Sequence, residues 1–235
     1  MERALRKVGL KCKASLKSDM HTLEIAVQLH ERLCQLMGGR CPALVLNQIH
    51  RKKMDPNRPL DDAAQGSRPA VLAFFEYHGF INATVYSFCG PSLFIDIHGH
   101  THAKQRAELG YLVYSSRLRS GDFGPEDTSI NSLVFHQRSH VTFENLLRGQ
   151  RSLGGFMNRE GLRATPSPND RAPAPGDSYF SGGYSVQLHG SRSEGTMDAI
   201  QIEISREQRS DAGRPAFVEG LAKALRNFIN TNKYA

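Results

Sequence analysis

Apolar positions in "DMHTLEIAVQLHERLCQLMGG" (19–39) recur at helical spacing through Leu23, Ala26, Val27, Leu29, Leu33 and Leu36. Gly38-Gly39 supplies a stop, Asp19 can cap the start, and Glu24 places negative charge near the N-terminal end. The short apolar run "ALVLN" (43–47) predicts a buried strand, and a polar, Pro-containing loop follows. A second helix is predicted near "RPAVLAFFEYHGF", then strands at "SLFIDIH" (92–98) and "LGYLVYSS" (109–116). "TFENLLRG" reads as a helix, and residues 161–183, with four prolines and several glycines, read as a long loop of the functional kind. Alternation in "MDAIQIEIS" (197–205) predicts a strand, and Phe217, Leu221, Leu225 and Phe228 mark a C-terminal amphipathic helix. Strands alternating with helices predict an α/β fold with three layers, helices on both sides of the sheet.

Composition narrows the function. The 235 residues suit one domain, read as 19–235, after a basic N-terminal segment, 1–18. That segment lacks the apolar centre of a signal peptide, and its Lys, Arg and Ser content resembles a transit peptide or a disordered start. No run of about 18 apolar residues occurs, so no membrane partner is expected. Cys12, Cys34, Cys41 and Cys89 form no CxxC pair, which suits a reduced, cytoplasmic setting. The net charge of +7 is scattered, with its densest clusters in 3–17 and 51–53 and no interleaved aromatics. No nucleic-acid partner is expected; a small anionic substrate explains the basic balance as well.

Four stretches can carry chemistry. In "IDIHGHTH" an acid and three imidazoles follow a hydrophobic strand, and alternation puts Asp96 and His98 on one face. A carboxylate two residues from a ligating histidine is a plausible partner for its second nitrogen. His100 and His102 follow Gly99 into a loop and are weaker candidates. In "HTLE", His21 and Glu24 share a helical face and can reach one cation; the same spacing also occurs on ordinary helix surfaces. In "RKKMDPNR", Arg51 and Arg58 are planar donors suited to a carboxylate and Asn57 adds an amide, unless the loop is simply solvated. Glu203 stands between Ile202 and Ile204, either on the polar face of an edge strand or as a buried carboxylate with the raised pKa of a general base.

Taken in chain order, "RKKMDPNR", "IDIHGHTHAKQRAELGY", "YFSGGYSVQLHGS" and "DAIQIEI" resemble the N-formylglutamate amidohydrolase family, over about Asp19 to Phe228. The resemblance implies a zinc carboxypeptidase-like fold with a mixed central sheet and one zinc per chain. His98 would be a zinc ligand and Glu203 the base acting on the attacking water. Arg51 would stabilise the oxyanion, Asn57 and Arg58 would hold the substrate carboxylate, and Tyr184 would cover it. The family's usual His-Gly-Gly or His-Ser-Gly turn has no counterpart here, so either His21 and Glu24 complete the metal site or the chain has lost part of it. The implied activity is zinc-dependent hydrolysis of the amide bond of a small N-acyl amino acid, with N-formyl among the acyl groups it covers. The alternative is a catalytically impaired relative that binds an anionic metabolite without turnover.

Overall fold

The computed structural model describes residues 18–86, 90–137, 140–193 and 195–234. The basic segment up to residue 17, with Cys12, and Cys89 lie outside the described residues. These residues group into two compact units, one built on 45–81 and the other on 19–44 together with 82–235, where the sequence reading takes 19–235 as a single domain.

In the larger unit, α1 (Thr22–Leu36) turns Ile25, Leu29 and Leu33 inward, one residue per turn. Leu23 stays 43% exposed, so the buried stripe is narrower than the apolar spacing suggests. Gly38 and Gly39 end it with positive φ, as a chain reversal there requires. Four strands form one mixed sheet in the order β1-β4-β2-β3: β1 (Ser92–Gly99), β2 (Ala107–Gly110), β3 (Ala164–Thr165) and β4 (Met197–Ile204). β4 pairs parallel with β1 and antiparallel with β2, and β2 pairs parallel with β3.

Every residue of β4 is buried, because the strand is internal to the sheet. One face carries Ile200, Ile202 and Ile204 with Leu109. These join Ile25, Leu29 and Leu33 of α1 and Phe217, Leu221, Leu225 and Phe228 of α10 (Arg214–Asn232) in the core. Alternation sends Gln201 and Glu203 to the opposite face.

Short helices α4 (Ser115–Ser120), α5 (Asn131–Gln137), α6 (Phe143–Arg148) and α7 (Leu153–Arg159) fill the chain between β2 and β3. Thr142 and Ser152 cap α6 and α7 by accepting from the backbone N–H groups of Asn145 and Gly155. Helix α8 (Tyr184–His189) precedes β4, and α9 (Arg206–Arg209) follows it.

Two predicted strands differ. Residues 43–47 are irregular, with Leu44 and Leu46 more than a third exposed; the run is not among the strands of the sheet formed by the described residues. The strand expected at 109–116 begins at Ala107 and stops at Gly110, because Leu112 takes φ 69° and Tyr114 caps α4.

In the smaller unit, α2 (Leu60–Ala64) and the start of α3 (Arg68–Tyr86) follow the loop that holds Arg51 to Arg58. Phe74 and His78 are buried on α3, and His78 Nε2 donates to the Pro56 carbonyl at 3.1 Å, fixing that loop to the helix. No helix among the described residues is long and apolar enough to cross a membrane.

Candidate active site

The polar face of the sheet carries a row of ionisable groups set by strand register. His98 of β1 lies opposite Glu203 of β4, and Glu203 lies opposite Glu108 of β2. Asp96 and Gln201 form the adjacent row, with Gly110 completing it. Residues directly opposite in register project to the same side, so one histidine, three carboxylates and an amide share a single face.

His98 is held from both ends. Its Nδ1 lies 3.0 Å from Asp19 Oδ2 and its Nε2 lies 3.1 Å from Asp96 Oδ2. Burial works against a charged ring, but the carboxylates of Asp96, Asp19 and Glu203 outweigh it and hold the His98 pKa well above the ordinary value. With both nitrogens facing carboxylates, the ring in this arrangement is an imidazolium donating twice.

Asp19 reaches the site because the chain ahead of α1 is anchored by Arg209. The Arg209 guanidinium donates to the carbonyls of Met20, His100 and Ile204, joining the start of α1 to the ends of β1 and β4. A Cβ on Gly99 would strike the Arg209 side chain at 2.4 Å, so a glycine there makes room for the guanidinium.

Glu203 is 5% exposed, and its environment is asymmetric. Oε1 accepts from Gln201 Nε2 at 2.8 Å, and the Gln201 amide is oriented by the Gly183 N–H, which donates to its Oε1 at 2.7 Å. Oε2 is buried without a hydrogen-bond partner among the described residues. Burial pushes the Glu203 pKa up to about 7, with His98 opposing and Asp19, Glu108 and Asp96 adding to the rise. A carboxyl poised near neutrality with one uncommitted oxygen is suited to accept a proton.

Beside it, Glu108 is fully buried and accepts from His102 Nδ1 at 2.9 Å and from the Phe180 N–H at 2.8 Å. The His102 ring stacks on Phe180, and its Nε2 makes no hydrogen bond among the described residues. A carboxylate that fixes one imidazole nitrogen leaves the other aimed for proton transfer. His100 differs: its Nε2 donates to the Arg106 carbonyl at 2.8 Å and its Nδ1 accepts from the His102 N–H at 3.1 Å, so both nitrogens serve the backbone.

The loop before α8 lies against this face. Tyr179 Oη donates to the Leu109 carbonyl, and the Leu112 N–H donates to the Ser181 carbonyl, each at 2.6 Å. Gly110 would bring a Cβ to 2.5 Å from the Gly182 nitrogen, so only glycine permits this approach. Tyr184 therefore opens α8 half-buried, next to Gly183 and its bond to Gln201.

His21 and Glu24 sit at the start of α1 with Nδ1 and Oε1 3.5 Å apart. Among the described residues, two sets of three His, Cys, Asp or Glu bring ligand atoms within 4.8 Å of one another: His100, His102 and Glu108, and His30, Cys34 and Cys41. Neither contains His98, His21 or Glu24. In the smaller unit, Arg51, Asn57 and Arg58 gather round buried Asp55. Arg51 Nε and the Asn57 N–H donate to it at 3.0 and 3.1 Å, and Arg58 Nε lies 4.0 Å away.

From the sequence, Asp19 is a helix cap, Gln201 a residue on the face of Glu203, and His102 a weak candidate, while Glu108 and Arg209 carry no assigned role. Glu108 and Gln201 carry a two-residue alternation that could have placed them in the site; Asp19 meets His98 across 79 positions with no local signal. Comparison with protein-family models, curated proteins and solved structures finds no match.

Proposed function

We propose that the chain is a zinc-dependent hydrolase, carboxypeptidase-like in fold, that cleaves the amide bond of a small N-acyl amino acid. The observation that carries this reading is Glu203: a buried carboxyl with a pKa near 7 and an unpartnered oxygen, in register with His98. As arranged, His98 has no nitrogen free for a metal, since Asp19 and Asp96 occupy opposite ends of the ring; to hold zinc it would have to lose a proton and one of these partners, after which the freed nitrogen and a released carboxylate are ligands of the type zinc accepts. When bound, zinc would act as a Lewis acid and favour deprotonation of water.

The chain's own residues would do the rest. Glu203 takes a proton from the attacking water, while Gln201 keeps its other oxygen aimed. Hydroxide adds to the carbonyl carbon, the C–N bond breaks, and the departing amine needs a proton. A His102 ring that enters the cycle protonated, with its Nδ1–H held by Glu108, supplies that proton from Nε2; the proton taken up by Glu203 returns to solvent and solvent reprotonates His102. Tyr184 covers the substrate. The parts given to Arg51, Asn57 and Arg58 (oxyanion and substrate carboxylate) rest on the sequence resemblance.

A second reading, an anion-binding relative without turnover, is favoured by one observation: among the described residues His21 and Glu24 form no converging ligand set with His98. The experiment is metal analysis of the purified protein together with a hydrolysis screen of N-acyl amino acids. The proposal expects about one zinc per chain in the wild type, lost on His98→Ala, and release of free amino acid. Binding of N-acyl amino acids without release would favour the second reading.

A further inference from the structure

His30, Cys34 and Cys41 lie apart from the row of charges described above. His30 and Cys34 are one turn apart on α1, with Cys34 Sγ 3.7 Å from His30 Nε2. Past the helix end, Gly38 and Gly39 take φ 66° and 88° and reverse the chain, bringing Cys41 back to Cys34. The two cysteines are joined as a disulfide. One ligand atom from each of the three residues falls within 4.8 Å of the others. Among the described residues the His30 ring is not committed elsewhere, since its Nδ1 has no hydrogen-bond partner there.

These distances suit a metal. With Zn–S of about 2.3 Å and Zn–N of about 2.05 Å at the tetrahedral angle, a thiolate sulfur and an imidazole nitrogen on one ion stand about 3.6 Å apart. The helix already sets His30 and Cys34 at 3.7 Å. Two thiolates on one such ion stand about 3.8 Å apart, whereas bonded sulfurs stand about 2.05 Å apart, so the same pair cannot serve both states at once. Cys41 is exposed on a glycine-hinged turn and can make that adjustment without moving the helix.

We infer that His30, Cys34 and Cys41 form a redox-gated site for a soft divalent cation, closed while the cysteines are joined and open once they are reduced. A dithiol reductant supplies two electrons and two protons: the S–S bond breaks, two thiols form, and the reductant becomes a disulfide. Binding the cation then releases the two thiol protons to solvent. Two thiolates and an imidazole favour zinc or cadmium over magnesium or calcium and leave a fourth position for an outside ligand. The inference uses neither His98 nor Glu203 and stands whether or not the chain is a hydrolase.

The test uses the full chain and Cd2+ as probe, because the thiolate-to-cadmium absorption band reports sulfur ligation alone. After reduction with a phosphine, titration should give a band saturating at about one ion per chain. The band should vanish on reoxidation by a disulfide oxidant. Cys41→Ser, at an exposed position that should not disturb folding, should lower the affinity at least about tenfold, as expected for loss of one ligand, and His30→Gln should weaken it too. A Cys12→Ser, Cys89→Ser protein should behave as wild type. No band in the reduced protein would overturn the site, as would undiminished binding by Cys41→Ser. Equal binding by the oxidised protein would overturn the gating.

Discussion

At the scale of single residues, environment separates groups that look alike in the sequence. His98, His100 and His102 stand at alternate positions, yet one faces two carboxylates, one serves two backbone groups, and one is tied to Glu108 by a single nitrogen. The proton-donor role of His102 predicts that His102→Gln slows cleavage of amides with strongly basic leaving amines by roughly 10²-fold or more. An acyl ester with a good leaving group, which needs no proton, should be cleaved at near the wild-type rate. Equal slowing of both would make the histidine a structural group.

Asp198 offers a stability test away from the site. It is buried and accepts from Ser191 Oγ and Tyr234 Oη, and burial raises its pKa to about 6. A raised folded pKa favours the protonated form, so the contribution is complete below the unfolded value of about 3.9 and is lost as pH rises through about 6. The loss is on the order of 2–3 kcal/mol. Asn imitates the neutral acid. The melting temperature of Asp198→Asn should therefore gain on wild type between about pH 4 and about pH 8. A difference independent of pH would mean that Asp198 does not titrate in this range.

At the scale of elements, β4 does two jobs through its alternation: Ile200, Ile202 and Ile204 join the core, while Gln201 and Glu203 project to the other face. Ile202→Ala should cost about 2–5 kcal/mol of stability, a core loss that denaturant unfolding would register. The loop before α8 is held differently, by backbone bonds to β2 and by its close pass over Gly110. Gly110→Ala should leave the core intact but displace the loop, because the new methyl would meet backbone atoms that cannot rotate away. Limited proteolysis should then cut within 179–184 faster than in wild type, with little change in melting temperature. Unchanged cleavage would show that the loop is not seated on Gly110.

At the scale of the whole molecule, periodicity made the long elements legible. The helices α1 and α10 and the strands β1 and β4 stand where apolar spacing places them, and the helix read in "TFENLLRG" forms at Phe143–Arg148. Residues 43–47 were misread because an apolar run carries no information about whether a partner strand exists. The candidate site was legible where its groups lie on long strands, as with Asp96, His98 and Glu203. It was illegible where tertiary folding supplies the contact: Asp19 reads as a helix cap, yet the helix starts at Thr22 and the carboxylate turns to His98.

Glu203 is proposed as the base of a hydrolase, and a pH–rate profile of wild type beside Glu203→Gln decides that role. Gln keeps the size and hydrogen bonding of the side chain, so the strand should fold as before while the proton acceptor is lost. In wild type, kcat/KM for an N-acyl amino acid should rise with pH through about 7, as the Glu203 carboxyl loses its proton. Glu203→Gln should lie roughly 10²–10⁴-fold lower, with that rise gone and the melting temperature unchanged. A Gln variant that keeps the wild-type rate and the same rise with pH would contradict the account.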